Sequence, residues 1–305
     1  MIVLNESKEL RRIEMWSQIA ERPGFTNNID PKAHTLKAII GSYIFPERIP
    51  CGLSNCHTPH AKGYLVETAS GLETNIGHDC GRTYFGVDFE TLSRKFDRDI
   101  TEKENREKLW SFAFKIDELK RRIQELRNAP HGGNWVYKRA RQLLDVSAAV
   151  PQGVVRNVTA MVKSRNPSLV LEREASEREI QELEVAQGRT IHRPHIVQDH
   201  IADVQGLDAL YPENDLRQLL VIGLEERVKK FEMEEIDSLS YEPLRSWAIW
   251  IGTVESTLAQ ATRSIESGQL LLRGENLRPF DRVLTDHNDR AIFSAFLKDL
   301  TNSGK

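Results

Sequence analysis

The stretch CGLSNCHTPHAKGYLVETASGLETNIGHDCG, residues 51–81, decides how the chain is organised. It holds all three cysteines of the protein, Cys51, Cys56 and Cys80, with His57, His60 and His78 interleaved. Thiolate and imidazole are the ligands zinc prefers, and a structural zinc site needs four of them in a tetrahedron. Cys51 and Cys56 bracket Gly-Leu-Ser-Asn, a turn-forming set able to fold two thiolates toward one point. Residues 62–68 (KGYLVET) have the aromatic and β-branched content of a strand. Ala69-Ser70-Gly71 then punctuates the run as a turn, and residues 73–76 can return as a second strand. Gly77 lets the chain bend sharply, which carries Cys80 back toward the first pair. Asp88 is a helix N-cap candidate for the FETLSRKF that follows.

A knuckle, a hairpin and a third ligand just ahead of a helix resembles a zinc-ribbon or treble-clef module, and the resemblance is confined to residues 51–81. It implies a bound Zn2+ held in a structural role. Two departures stand out. The first pair is wider than CxxC, and Gly77 stands where a second CxxC knuckle would have its first cysteine. The fourth ligand is therefore expected to be a histidine. His60 follows Cys56 at a CxxxH spacing and sits at the mouth of the hairpin, so the expected set is Cys51, Cys56, His60 and Cys80. His78 is the alternative to His60, because an HxC pair chelates only if the Gly77 turn orients both side chains inward. The competing reading makes the cysteines small buried hydrophobes and the histidines surface groups.

Outward from this stretch, residues 35–45 (TLKAIIGSYIF) read as a strand ended by Pro46 and Pro50. Residues 5–21 read as an amphipathic helix with Leu10, Ile13, Trp16 and Ile19 on one side, stopped by Pro23-Gly24. Residues 1–100 would then form one unit with the metal as staple, since a small domain buries too little apolar surface alone. From residue 101 the character changes to helix. Thr101 and Glu104 make a capping-box pattern. Leu109, Phe112, Ile116, Leu119, Ile123 and Leu126 recur at steps of three and four, the seam of a helix pair or short coiled coil. A second stripe runs through Leu244, Trp247, Ile251, Val254, Leu258, Ala261 and Ile265. Helices are also expected over 135–150, 153–165, 168–186, 213–232 and 286–300, the last capped by Asp286, while 189–211 fits a strand or a helix. The fold class expected is α+β: a zinc-stapled β-hairpin module, then a mostly helical domain over residues 101–305.

The formal net charge of −3 hides an uneven distribution. Residues 102–170 carry 14 Lys+Arg against 7 Asp+Glu, whereas residues 171–305 carry 16 against 25. In the basic segment Lys120, Arg121, Arg122, Arg127, Lys138, Arg139 and Arg141 flank a Gly132-Gly133 turn, with Trp135 and Tyr137 nearby. Clustered cations neutralise phosphates and aromatic rings stack on bases, so DNA or RNA is one candidate partner. The plainer reading pairs these cations with the acidic segments. Chemistry elsewhere is sparse. His192, His195 and His200, with Asp199 and Asp203, lack the spacing of metal ligands. Asp286, His287 and Asp289 look like a capped helix start. There is no P-loop, GxGxxG, HExxH or GxSxG. Three cysteines without a disulfide framework suit a reducing compartment, and residues 1–16 lack the apolar run of a signal peptide, so a cytoplasmic protein is expected. Two functions follow: a zinc-binding, non-enzymatic nucleic-acid-binding protein whose heptad helices oligomerise, or a protein–protein adaptor with a purely structural zinc. A third, a zinc-supported nuclease, needs polar ligands after Gly81 that VDFETLSRKF supplies only as Asp88 and Glu90.

Overall fold

Strands that carry apolar residues on both faces build the N-terminal part of the molecule. The computed structural model describes residues 2–6, 9–145 and 149–302. In chain order the elements are β1 (Ile2–Glu6), β2 (Glu9–Ile13), α1 (Ser17–Ala20), β3 (Leu36–Pro50), β4 (Pro59–Thr68), β5 (Glu73–Gly77) and α2 (His78–Ala113). There follow α3 (Ile116–Asn128), α4 (Gly133–Arg141), α5 (Gln152–Ser164), β6 (Ser168–Glu174), α6 (Glu177–Gln187) and β7 (Ile196–Asp203). After these come a π-helix over Arg217–Glu225, α7 (Glu226–Phe231), α8 (Tyr241–Leu271), α9 (Gly274–Leu277) and α10 (His287–Asn302). Helix makes up 58% of the chain and strand 19%, with the antiparallel sheet at the N-terminal end, so the α+β expectation holds.

The chain forms two compact units, Met1–Ser111 with Glu235–Ala248, and Phe112–Glu234 with Ile249–Lys305. The first unit is an antiparallel sheet of order β2-β1-β3-β4-β5. Successive side chains point to opposite faces. Val3, Ile39, Tyr64, Val66 and Ile76 therefore join Phe89 and Phe96 of α2 on one face. Ile2, Leu4, Tyr43 and Leu65 gather with Ile13 and Ile19 on the other. The expected helix over 5–21 is instead a hairpin followed by the short α1. Ile2 and Leu4 pair with Tyr43 and Gly41 of β3, and that ladder overrides the helix-like spacing of Ile13, Trp16 and Ile19. The strand expected over 35–45 is present and longer. Its register with β4 breaks between Ile44 and Ile49, which leaves Pro46 in an unpaired excursion, and pairing resumes at Ile49–His60 and Pro50–Pro59.

The helix after the hairpin starts at His78, earlier than Asp88, and is bent at Gly86, whose φ of 58° only glycine adopts freely. Thr101 does not cap a helix: it lies inside α2 and its hydroxyl donates to the Asp97 carbonyl at 2.7 Å. Residues 235–248 return to this unit. Arg106 donates to the Ile236 and Leu239 carbonyls, Lys108 to the Ala248 carbonyl at 2.6 Å, and Trp110 Nε1 to Asp237 at 3.1 Å.

In the second unit the main core is formed by Val154, Val158 and Met161 of α5, Leu169, Leu207 and Leu271, and Phe280, Phe293 and Phe296. Residues of both heptad stripes, Ile116, Leu119 and Ile123 and Val254, Leu258, Ala261 and Ile265, are buried here. The first stripe is not one helix: the chain turns at Phe114-Lys115, which separates α2 from α3. Residues 168–174 are a strand rather than the start of a helix. They pair antiparallel with β7, so the open choice at 189–211 resolves as a strand over Ile196–Asp203. The helix of the acidic segment starts later, at Glu177, behind a Ser176/Glu179 capping box. The helix expected from Trp135 runs over Gly133–Arg141, and residues 146–148 of that expectation lie outside the described residues. No helix among the described residues is long and apolar enough to cross a membrane.

Candidate metal centre

The resumed β3–β4 pairing brings Cys51 against the start of β4, where its N–H donates to the Thr58 carbonyl at 3.1 Å. The loop between is a tight knuckle. Cys56 N–H donates to the Leu53 carbonyl at 3.1 Å, and His57 takes the left-handed conformation with φ of 53°. The polar connection over 24–34 clamps the knuckle from outside: Ile29 N–H donates to the Gly52 carbonyl at 2.9 Å and Ser54 N–H to the Ile29 carbonyl at 2.9 Å. Gly52 N–H is bound in turn by the Asn75 carbonyl of β5 at 2.8 Å. Since β5 runs straight into α2, the first helical turn sets Cys80 beside the knuckle.

The result is a cluster in which the sulfurs of Cys51, Cys56 and Cys80 all lie within 4.8 Å of one another, and it is the only group of metal-ligating side chains of this kind among the described residues. The Cys56 and Cys80 sulfurs are 3.3 Å apart. Cys51 is fully buried, and Cys56 and Cys80 are partly so. Burial pushes the Cys51 thiol up, against the backbone N–H groups of Leu53 and Gly77 that donate to its sulfur. Burial also opposes ionisation of Cys56, yet the Thr58 hydroxyl and N–H, with the neighbouring thiols, bring it below the ordinary thiol value. Cys80 is pushed up to about 12 by burial and by its contact with Cys56. Backbone N–H groups aimed at sulfur stabilise thiolate, the form that binds metal.

The three expected thiol ligands thus converge, and the histidines take separate places. His60 is outside the group whose ligand atoms converge. Its Nδ1 is 2.8 Å from the Tyr43 hydroxyl, and its Nε2 is buried with no hydrogen-bond partner. Burial lowers its pKa, partly offset by its own backbone carbonyl. His78 is half exposed, with Nδ1 3.8 Å from Asp79 and its ring edge-on to Phe89. His57 Nδ1 is 3.1 Å from the Cys51 carbonyl. Tyr43 and Asn75 belong to the site although nothing local in the sequence marks them: Asn75 Nδ2 donates to the Tyr43 oxygen at 3.2 Å and to the Pro50 carbonyl at 2.8 Å. The donor set fits a soft or borderline cation, because sulfur-rich clusters select zinc and its thiophilic neighbours over magnesium or calcium.

The cations singled out in the basic segment are mostly paired within their own unit. Lys120 meets Glu232, Arg127 meets Glu225, and Arg121 lies 3.8 Å from Glu125. Arg122 grips Glu255 through two bonds of 2.8 Å, and Arg139 reaches Asp299 at 2.6 Å. Arg141 holds Asp145 at 2.9 Å and donates to the Tyr137 hydroxyl at 2.7 Å, while Lys138 is exposed. Trp135 is packed against the core and lies tilted against His131, ring centroids 4.3 Å apart. Of the loose histidine cluster, His200 contacts Asp203 at 3.0 Å and Asp199 is taken by Arg173. Asp286 accepts the Asp289 N–H at 3.0 Å, as a helix cap does. No protein-family model matches the chain, nor does any curated protein or solved structure.

Proposed function

We propose that Cys51, Cys56 and Cys80 hold a Zn2+ ion as thiolates, that His60 supplies the fourth ligand with His78 its alternative, and that the centre is structural. The observation that carries this is the convergence of three sulfurs from a knuckle and a helix start more than twenty residues apart in sequence. The orphaned Nε2 of His60 supports the fourth position, since a buried ring nitrogen without a partner is rare in a folded chain. Four protein ligands leave no place for a reacting water, so the zinc closes the knuckle onto the hairpin and does no chemistry. Elemental analysis of the purified chain tests it directly. One zinc per chain, lost in Cys51→Ser together with the fold of the N-terminal unit, is the expected result; a metal-free chain with a normally folded Cys51→Ser variant would sink it.

Around this centre the chain is an interaction or adaptor protein of the cytoplasm, with helices serving as scaffold. Nucleic-acid binding is the second reading, and the carboxylate partners of Lys120, Arg121, Arg122, Arg127, Arg139 and Arg141 weigh against it. Exposed pairs are weak, so phosphate could compete for them at low salt. A gel shift with the Arg121, Arg122, Arg139 and Arg141 charges reversed separates the two. Salt-sensitive binding abolished by the reversals favours nucleic acid, and binding indifferent to them favours the adaptor.

A further inference from the structure

The imidazole of His60 stands where a side chain of residue 77 would go. A Cβ placed on Gly77 would lie 2.7 Å from Cδ2 of His60, closer than neighbouring atoms tolerate, and 3.2 Å from its Nε2, a tight contact. Residue 77 is three before Cys80, the place of the first cysteine in a CxxC knuckle, and its backbone is among the groups that favour the Cys51 thiolate against burial. The ring edge that bears Nε2 therefore abuts Gly77, the residue that leads β5 into the helix turn carrying Cys80. On its other side the ring is anchored through Nδ1 by Tyr43, which is fully buried.

We infer that Tyr43 and Gly77 are positioning residues for His60: Gly77 leaves the space in which the ring reaches the metal, and Tyr43 sets which ring nitrogen faces it. This rests on the reading of the cluster as a metal centre. Asn75 already donates to the Tyr43 oxygen, and with Nε2 on the metal the second lone pair of that oxygen would accept Nδ1–H of His60, 2.8 Å away. A proton on Nδ1 leaves the Nε2 lone pair for the metal, and ligating histidines characteristically hand their other N–H to such an acceptor. The missing cysteine and the half-buried histidine are thus one coupled exchange. Position 77 gives up its side chain and position 60 fills the gap with nitrogen in place of sulfur.

The test uses the full chain loaded with Co2+, whose visible bands report thiolate number and geometry, with affinity read by chelator competition. Tyr43→Phe keeps the ring in the core and removes only the acceptor, and Gly77→Ala pushes the imidazole aside. Each is expected to weaken metal binding by about 10–100-fold, the usual effect of losing an outer-shell partner. Combining Gly77→Cys with His60→Ala is expected to recover affinity and to raise the sulfur-to-cobalt charge-transfer intensity by one thiolate. This arm does not depend on Tyr43→Phe folding. Long-range 1H–15N spectra of the zinc-loaded wild type are expected to place the His60 proton on Nδ1. If the Tyr43 hydroxyl serves stability alone, Tyr43→Phe lowers the melting temperature and leaves the cobalt affinity untouched, which overturns its role. Wild-type affinity and spectrum in both single variants overturn the inference while leaving the metal reading in place. A wild-type chain that takes up no Co2+ removes both.

Discussion

The two units are held together by different means. The helical unit gathers Val154, Val158, Leu271, Phe280 and Phe293 from distant parts of the sequence into a continuous apolar core. The sheet unit divides its apolar groups between two faces, Ile76 and Phe89 on one, Leu4 and Leu65 on the other. It then inserts a buried polar network, Tyr43, Asn75 and His60, beside the thiols. A divided core supplies less burial per residue, and polar groups inside it cost free energy unless every one is satisfied. The chemically marked residues therefore lie in the unit that packing alone serves least. On this view, one region should respond to metal and the other to cavity.

Removing metal is the strongest way to break that contrast. A high-affinity chelator is expected to destabilise the sheet unit by up to about 10 kcal/mol, the scale of structural zinc in small modules. The expected calorimetric trace loses one transition and keeps the other where it was. If both transitions fell together, the units would share one source of stability and the contrast would dissolve. The converse experiment is Phe293→Ala. Phe293 is fully buried against Phe280 and Phe296, so the cavity should cost the helical unit about 3–5 kcal/mol. Zinc content should not change, and elemental analysis beside the melt checks both halves.

Proton competition sharpens the comparison further. Cys51 and Cys80 are raised by burial, Cys80 to about 12, so without metal both thiols hold their protons at neutral pH. Metal uptake must displace those protons, so affinity is expected to climb as pH rises and to fall on acidification. His60 acts with the same sign. Its lowered pKa favours the neutral ring, so its contribution to folding is complete above the ordinary histidine value and is lost as pH falls through the lowered folded value beneath it. Chelator competition at about pH 6, 7 and 8 reads the trend directly, and an affinity flat across that range would mean that the thiols are not the ligands. The helical unit's melt should stay level over the same interval.

Local patterns in the sequence carried part of this. The hairpin of β4 and β5 was legible because aromatic and β-branched content, turn residues and cysteines agree over thirty residues. The stripes through Leu119 and Leu258 were legible as buried faces. The β1–β2 hairpin was not, because Ile13, Trp16 and Ile19 repeat every three residues while the partner strand lies about forty residues away, at Gly41 and Tyr43. Ion pairing was hidden for the same reason. Arg122 finds Glu255 and Lys120 finds Glu232 across more than a hundred residues, so a local charge count read a basic patch where the fold has pairs. Tyr43 and Asn75 carry no local mark at all; only the sheet register brings them to His60. The start of α6 does carry a local mark: Ser176-Glu177-Arg178-Glu179 is a capping box, and it separates the strand from the helix.

That box carries the smallest expected effect, and it tests whether the helical unit has polar supports of its own. Ser176 Oγ accepts the Glu179 N–H at 3.4 Å, and the Glu179 carboxylate accepts the Ser176 N–H at 2.8 Å. Arg173 of β6 joins the same carboxylate to Asp199 of β7, tying the helix start to the ribbon. The Arg173 guanidinium, then the Ser176 N–H and hydroxyl, hold the Glu179 carboxyl well below the usual carboxylate range. A depressed carboxylate contributes stability that is complete above its unfolded value, about 4.3, and disappears as pH falls through the folded value beneath it. Acidification below about pH 4 should therefore fray α6 and the ribbon, visible as faster amide exchange at Ile180 and Leu183. Ser176→Ala should mimic this at neutral pH for about 1 kcal/mol of local stability. Metal content and the sheet unit's transition should not respond. If amide protection of α6 ignores both acid and the substitution, the cap contributes nothing, and the helical unit rests on packing alone.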